Sequence, residues 1–363
     1  MVTYIVARYK RFVAPAIRGA DPRCFAMVMA TGIVSVALQM VGSSSLSAAL
    51  LWVAAAAFVV LVVASGGRVV AFGPEVRREL RRPDRLFSYF AFPAAASVLA
   101  ARLADHPGLG LEGVVAVLTA AAALAWVAVI CAVAVFVAGW VGRGWTGLRR
   151  AVTDVNGTWQ LWVVGTQAAA IAAASAASAG VLAARFATWA AVVTWSAGAV
   201  LYPVVTAMVV TRLRVAGLAP GDPVAPYWVT MGAASITVLS AAQVLELIRV
   251  AAPAAPTGLR SPLTSLALAF WSVATGLIPA LLALGAIRWR PRDPLAPRGF
   301  RREMWMIVFP AGMYATASMR IGAAAGLPLI RGTGTAAAWI AAAVWAAVFI
   351  WMIVSTAARL RRL

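Results

Sequence analysis

Five apolar segments interrupted by glycine or proline alternate along this chain with five that run apolar from end to end. The interruptions fall at Gly32, Pro93, Gly165, Gly232 and Pro310, each followed by small residues: TGIVSVA, FPAAAS, GTQAAA, GAASIT and FPAGMYATAS. Proline removes a helix hydrogen bond, and glycine weakens a helix. In hydrocarbon such a defect survives only where protein or trapped water covers the freed groups. The pattern therefore predicts inner helices kinked at these five positions and gathered around a central path. Each interrupted helix, a short turn and an intact Ala/Val/Leu-rich helix make one hairpin, and successive interruptions lie 61, 72, 67 and 78 residues apart. A repeat of this kind, related about an axis along the membrane normal, closes a ring. The same small residues would also serve close helix packing with no path at all. The expected fold is all-α and integral to a membrane, with ten transmembrane helices as five helical hairpins in a quasi-fivefold ring around a central pore.

The solvent follows from composition. With 63% hydrophobic residues in a chain of 363, a water-soluble core has too much apolar surface to bury. Spans are expected over 24–42, 46–66, 86–104, 113–138, 156–179, 185–211, 227–248, 263–287, 303–325 and 334–357. No polar stretch is long enough for a second domain. That leaves a cytoplasmic N-terminal segment over 1–23, with the basic, partly apolar character of a helix lying on a membrane surface, a transport-competent membrane domain over 24–358 and a short cytoplasmic tail over 359–363. The formal net charge is +20, and its location decides its meaning. Of 31 basic residues, 25 fall on the side of the two termini and 6 on the other. Basic residues mark the cytoplasmic face, so both termini are expected there, in the cell's inner (plasma) membrane. The same placement makes membrane lipid the partner of these charges and excludes nucleic acid, for which no aromatic-basic module is present. Cys24 and Cys131 lie in or beside apolar spans without metal-ligand spacing and read as buried free thiols.

Little in the chain resembles catalytic machinery. No HExxH, GxSxG or phosphate-loop pattern occurs, and Asp, Glu and His form no cluster in the spans. No catalytic residue, metal or cofactor is expected, and the protein is not expected to be an enzyme. The single histidine, His106, sits in an outer loop. Glu246 is the one acid inside a span, and it fits either an ion pair with Arg249 or a proton-coupling site. Uncharged polar groups on the interrupted helices, notably Thr31, Ser97, Gln167, Ser235 and Thr316, offer donors to an anion without trapping it. They serve equally well as hydrogen bonds between helices. Arg320, near the outer end of the ninth span, either draws anions to a mouth or reaches for the interface. Phe309 stands immediately before Pro310, and taken alone it reads as a packing residue.

Four stretches carry a wider likeness: FAMVMATGIVSVA at 25–37, VNGTWQLWVVGTQ at 155–167, FWSVATGLIPALL at 270–282 and MWMIVFPAGMYATAS at 304–318. In order and spacing they resemble the tellurite-resistance/dicarboxylate transporter family, which includes plant slow-type anion channels, the bacterial tellurite-resistance protein, fungal malate permeases and fungal sulfite pumps. The first two stretches are most similar to the malate-permease-like branch. The resemblance implies odd helices inside a five-hairpin ring, with Phe309 in the place of a phenylalanine that plugs the pore. It implies a homotrimer with one pore per protomer. It also implies an anionic substrate, with organic anions such as C4-dicarboxylates ahead of small inorganic anions such as chloride, nitrate or sulfite.

Overall fold

The computed structural model describes residues 17–105, 110–144, 154–218, 222–250, 257–288 and 300–361, and these are helical with no strand among them. Ten long helices follow one another: α1 (Phe25–Met40), α2 (Ser44–Glu79), α3 (Ala91–Ala104), α4 (Glu112–Val141), α5 (Gln160–Ser178), α6 (Ala184–Ala216), α7 (Trp228–Val250), α8 (Arg260–Arg288), α9 (Trp305–Ala324) and α10 (Pro328–Leu360). Nine helical stretches among the described residues are long and apolar enough to cross a membrane. The tenth, α9, falls outside that set, and it is the helix that carries Arg320, Pro310 and a run of hydroxyls. The odd helices are buried over most of their length. The even helices turn large apolar side chains outward, among them Trp52, Val70, Leu124, Ile287 and Leu329. A surface of that kind is stable only against acyl chains or another protein.

The interruptions do not break the helices into separate segments. Each odd helix runs through its glycine or proline with helical backbone, and the single non-helical residue inside a long helix is Phe72, in outer helix α2. Pro93 lies in the first turn of α3, where a missing N–H costs nothing. Nor is proline confined to the odd helices: Pro74, Pro203 and Pro279 stand in α2, α6 and α8. What the odd helices share is their entry. Each is preceded by a 3₁₀ turn, at Pro22–Cys24, Phe87–Phe90, Gly157–Trp159, Ala225–Tyr227 and Arg302–Met304, and each junction carries an aromatic residue. Asp21 and Asn156 cap two of these turns by accepting the N–H of Arg23 and Thr158.

The glycines are contact points between helices. Among the inner helices, α1 packs on α3, α3 on α5, α5 on α7, α7 on α9 and α9 on α1. A methyl group on Gly32 would lie 2.8 Å from Val98, one on Gly165 2.4 Å from Phe90, and one on Gly232 2.9 Å from Pro310. Small residues let helices approach closely where lipid gives no hydrophobic drive to pack. A second repeat holds the outer layer on the inner one. The indole N–H of Trp126 (α4) donates to Thr166 (α5), Trp195 (α6) to the carbonyl of Thr237 (α7), Trp271 (α8) to Ser318 (α9) and Trp345 (α10) to Thr31 (α1). In the remaining hairpin Phe58 (α2) stacks on Phe92 (α3) at 5.8 Å. Each outer helix thus grips the inner helix of the following hairpin, and the last grips the first. Both cysteines are free, but Cys131 is exposed on the outer face of α4, contrary to the expected burial.

Candidate functional site

All five inner helices contribute to one cavity. Its walls are Ile33 and Val36 from α1, Val98 and Ala101 from α3, Ile171 from α5, Leu239 and Gln243 from α7, and Thr316 and Arg320 from α9, with Asp105 at the rim. Above it the space widens past Ser175, Ser178, Glu246 and Arg320, then past Arg249 and Arg260. At the opposite end a second cavity is lined by residues in or just before the entry turns of all five hairpins: Arg23, Arg85, Asn156, Thr158, Tyr227 and Glu303, together with Arg212 and Asp222. The two cavities lie at opposite ends of the same five helices.

Between them the register is informative. Ile33, Val98, Ile171, Leu239 and Thr316 line the outer cavity. Seven residues, two helical turns, toward the entry turns stand Ala26, Ala91, Val164, Gly232 and Phe309. Positions seven apart share a helix face. Three of the five are Gly or Ala, Val164 is a branched aliphatic, and the fifth is a phenyl ring that is 2% exposed. A methyl group on Gly232 would lie 3.3 Å from Phe309 Cε1, so the ring reaches α7.

The polar groups expected to line a path divide into two sets. Thr316 faces the outer cavity, and its hydroxyl donates to Gly312 O within its own helix at 3.0 Å. Ser97 and Ser235 likewise donate to Pro93 O and Met231 O. Thr31 and Gln167 are engaged with the outer layer. Thr31 accepts from Trp345 at 2.9 Å, and Gln167 donates to Trp195 O at 3.2 Å while accepting from Ser240 at 2.8 Å. Their polar atoms fasten helices together, and neither is among the residues that line the shared cavity. Glu246 accepts two hydrogen bonds from Arg249, at 2.9 and 2.5 Å. His106 and the loop around it lie outside the described residues.

Sequence reasoning passed over two groups of residues. Gln243 and Asp105 flank Arg320 at the outer cavity. Gln243 was overlooked because it sits in an otherwise apolar run. Its position four residues beyond Leu239 was the available signal. The second group is the ion-pair cluster at the entry turns. Asp21 pairs with Arg23 at 2.5 Å and with Arg85 of the next hairpin at 2.8 Å, while Arg23 reaches Glu303 of the last hairpin at 3.3 Å. Burial alone would raise the Asp21 carboxyl, but hydrogen bonds from Arg23 and the charges of Arg23 and Arg85 hold it below its ordinary value. The repeated acid at these entries, in Asp21-Pro22-Arg23, Pro83-Asp84-Arg85 and Asp222-Pro223, was the legible sign.

A family model described as voltage-dependent anion channel matches residues 20–353. The chain is also similar to a curated protein described only as an uncharacterized membrane protein of Mycobacterium tuberculosis, from strains CDC 1551/Oshkosh and ATCC 25618/H37Rv. Identity is 36% over 162 residues, which cover 45% of this chain and 80% of that protein.

Proposed function

The chain belongs to the voltage-dependent anion channel family of membrane anion transporters, and from that premise we propose that it moves anions through a pore enclosed by α1, α3, α5, α7 and α9 and gated by Phe309. The closed order of inner-helix neighbours and the outer-to-inner aromatic grips support a quasi-fivefold ring of five hairpins. One observation carries the gate: two turns below five residues that line a common cavity, three helices present Ala or Gly, α5 presents Val164, and α9 presents the one aromatic ring at that level. A hydrophobic constriction excludes water and hydrated ions and so closes a pore by dewetting. The hydroxyls of Thr316, Ser97 and Ser235 donate within their own helices at rest and would turn from Gly312 O, Pro93 O and Met231 O to donate to a passing anion, a weak and reversible exchange, and Arg320 stands at the outer mouth.

The likeness of residues 25–37 and 155–167 to the malate-permease-like branch favours organic anions such as C4-dicarboxylates. One observation favours small inorganic anions instead: the five positions at the level of Phe309 carry no cation to hold a dianion. The protein is placed in the inner (plasma) membrane with both termini cytoplasmic, on the distribution of its basic residues. A homotrimer fits the bare apolar faces of the even helices. The test is Phe309→Ala in proteoliposomes, with flux of malate, nitrate and chloride normalised to folded protein. A gate predicts higher normalised flux. A packing role predicts a cavity costing about 3–5 kcal/mol, lower folded yield and no gain in flux, and that result refutes the gate.

A further inference from the structure

Arg320 is the one cation among the described residues that lines the five-helix cavity and both wider openings above it. Its Nη2 lies 3.5 Å from Asp105 Oδ2, and the two side chains are 38% and 41% exposed. Strong charge-assisted hydrogen bonds are shorter, about 2.7–2.9 Å. The Nε of Arg320 is buried and has no partner. Other arginines here grip a carboxylate with two nitrogens: Arg249 holds Glu246 at 2.9 and 2.5 Å, and Arg18 holds Glu75 at 3.1 and 2.7 Å. Glu246, the other carboxylate at these openings, is therefore committed elsewhere. Asp105 ends α3, and α1 separates α3 from α9 in the packing order, so this loose pair bridges the opening from one side to the other.

Resting on the transport reading above, we propose that Asp105 is a tethered counter-ion for Arg320, occupying the outer mouth until an incoming carboxylate or planar oxyanion displaces it. The exchange is chemically matched. A guanidinium offers a fixed fork of N–H donors that fits two oxygens of one anion, and Asp105 engages it through a single long contact. An arriving anion with paired oxygens takes more of that fork than Asp105 does, whereas a spherical halide cannot. Asp105 thereby sets the concentration at which the mouth fills, and Arg320 sets the preference for forked anions.

Anion binding to the purified full chain in detergent tests this without requiring transport. Melting temperature is titrated with sodium malate, nitrate or chloride, balanced with HEPES to constant ionic strength. Asp105→Asn and Asp105→Ser should lower the half-saturating malate concentration roughly two- to fivefold, the scale of a half-exposed ion pair. Asp105→Glu should stay near the unmodified protein. Arg320→Gln should weaken malate binding and make Asp105→Asn silent, while Arg320→Lys should erase the preference for malate and nitrate over chloride. An unchanged malate concentration in both Asp105 variants, or the same gain with Arg320 replaced by glutamine, overturns the tethered counter-ion. Flux through the unmodified protein in liposomes tests the transport reading separately. Absent flux with these binding shifts intact removes that reading alone, and normal flux with no effect of Asp105 removes this one alone.

Discussion

The inner and outer helices invert the rule that governs proteins in water. The four inner stretches built around α1, α3, α5 and α7 have mean hydropathy of 1.3–1.6 and are 72–89% buried, whereas the five outer helices reach 1.7–2.7 and are only 17–28% buried. The layer that is more apolar is the layer that protein covers less. In water that arrangement would fail, because burial of apolar area drives folding. Here lipid is the solvent, and it is as apolar as leucine, so hydropathy reports contact with lipid and not depth in the fold. The inner helices can carry hydroxyls, Gln167 and Arg320 because their neighbours are protein. Their packing depends on fit, and this difference gives the comparison its testable content.

Substitution of glycine should separate the two layers most strongly. Gly157→Ala places a methyl group 2.4 Å from the carbonyl oxygen of Pro226, where two entry turns meet backbone to backbone, and Gly165→Ala places one 2.4 Å from Phe90. Overpacking of this kind costs about 1–3 kcal/mol, with the backbone contact at Gly157 the dearer of the two. Thermal melting in detergent should show both losses. Unchanged melting at both sites would mean that the inner joints are looser than their geometry implies, and the contrast between layers would lose its basis.

A smaller loss is expected at the polar links between layers. Gln167→Leu removes the bond to Trp195 O and the acceptor for Ser240, and Thr31→Val removes the acceptor for Trp345. Hydrogen bonds between helices in a membrane average about 0.6 kcal/mol and reach about 1.7. Both variants should melt lower by an amount in that range, while flux per folded protein stays unchanged because these polar atoms are spent on bonds between helices. A change in anion selectivity in either variant would return the residue to the lining of the path.

These two residues also mark the limit of what the chain displays in one dimension. The alternation of interrupted and intact segments predicted which helices lie inside, because only helices covered by protein tolerate so many small and polar residues. The likeness of four stretches identified the family that the whole-chain match confirms. The interruptions also serve as helix contacts, which one dimension does not display. Gly32, Gly165 and Gly232 are spacers at helix contacts, and a glycine at a contact is indistinguishable in sequence from one at a kink. A hydroxyl or amide shows no direction in sequence either, so Thr31 looked the same as Thr316. The tryptophan grips spaced along the chain at Trp126, Trp195, Trp271 and Trp345, with Phe58 in the first hairpin, were visible as a repeat but meaningful only once the hairpins were set side by side.

Acid should loosen the entry end before the outer layer. The Asp21 carboxyl is held below its ordinary value by Arg23 and Arg85, against the opposing effect of burial. A carboxyl with a depressed folded value stabilises the protein above its unfolded value, and that contribution is lost as pH falls through the folded one. Melting temperature should therefore decline as pH drops below the ordinary carboxylate range, and Asp21→Asn should start lower at neutral pH and show a flatter decline. Asp21 ties the first hairpin to the second, and Arg23 ties the first to the last through Glu303. An equal acid response in Asp21→Asn would assign the decline to other carboxylates.

The smallest effect, and the sharpest use of the comparison, lies on the outer face. Gly139 in α4 and Gly276 in α8 are exposed, and a methyl group on either would meet nothing within 4 Å. In water, replacing an exposed helical glycine by alanine gains about 1 kcal/mol, because glycine gives up more backbone freedom on folding. That gain presumes an unfolded state that is not helical. A segment left in lipid keeps its helix, since its backbone groups have no water to bond, so the freedom is already lost before the helices assemble. Gly139→Ala and Gly276→Ala should consequently change stability by less than about 0.5 kcal/mol, in contrast to the cost at Gly157 and Gly165. A cost of 1 kcal/mol or more at either outer site would mean that something packs against that face as closely as one inner helix packs on the next. Among the described residues of a single protomer nothing does. Such a cost, lost when the protein is diluted in detergent, would therefore locate the face through which copies of the chain meet, and a result near zero at both sites would assign these two faces to lipid.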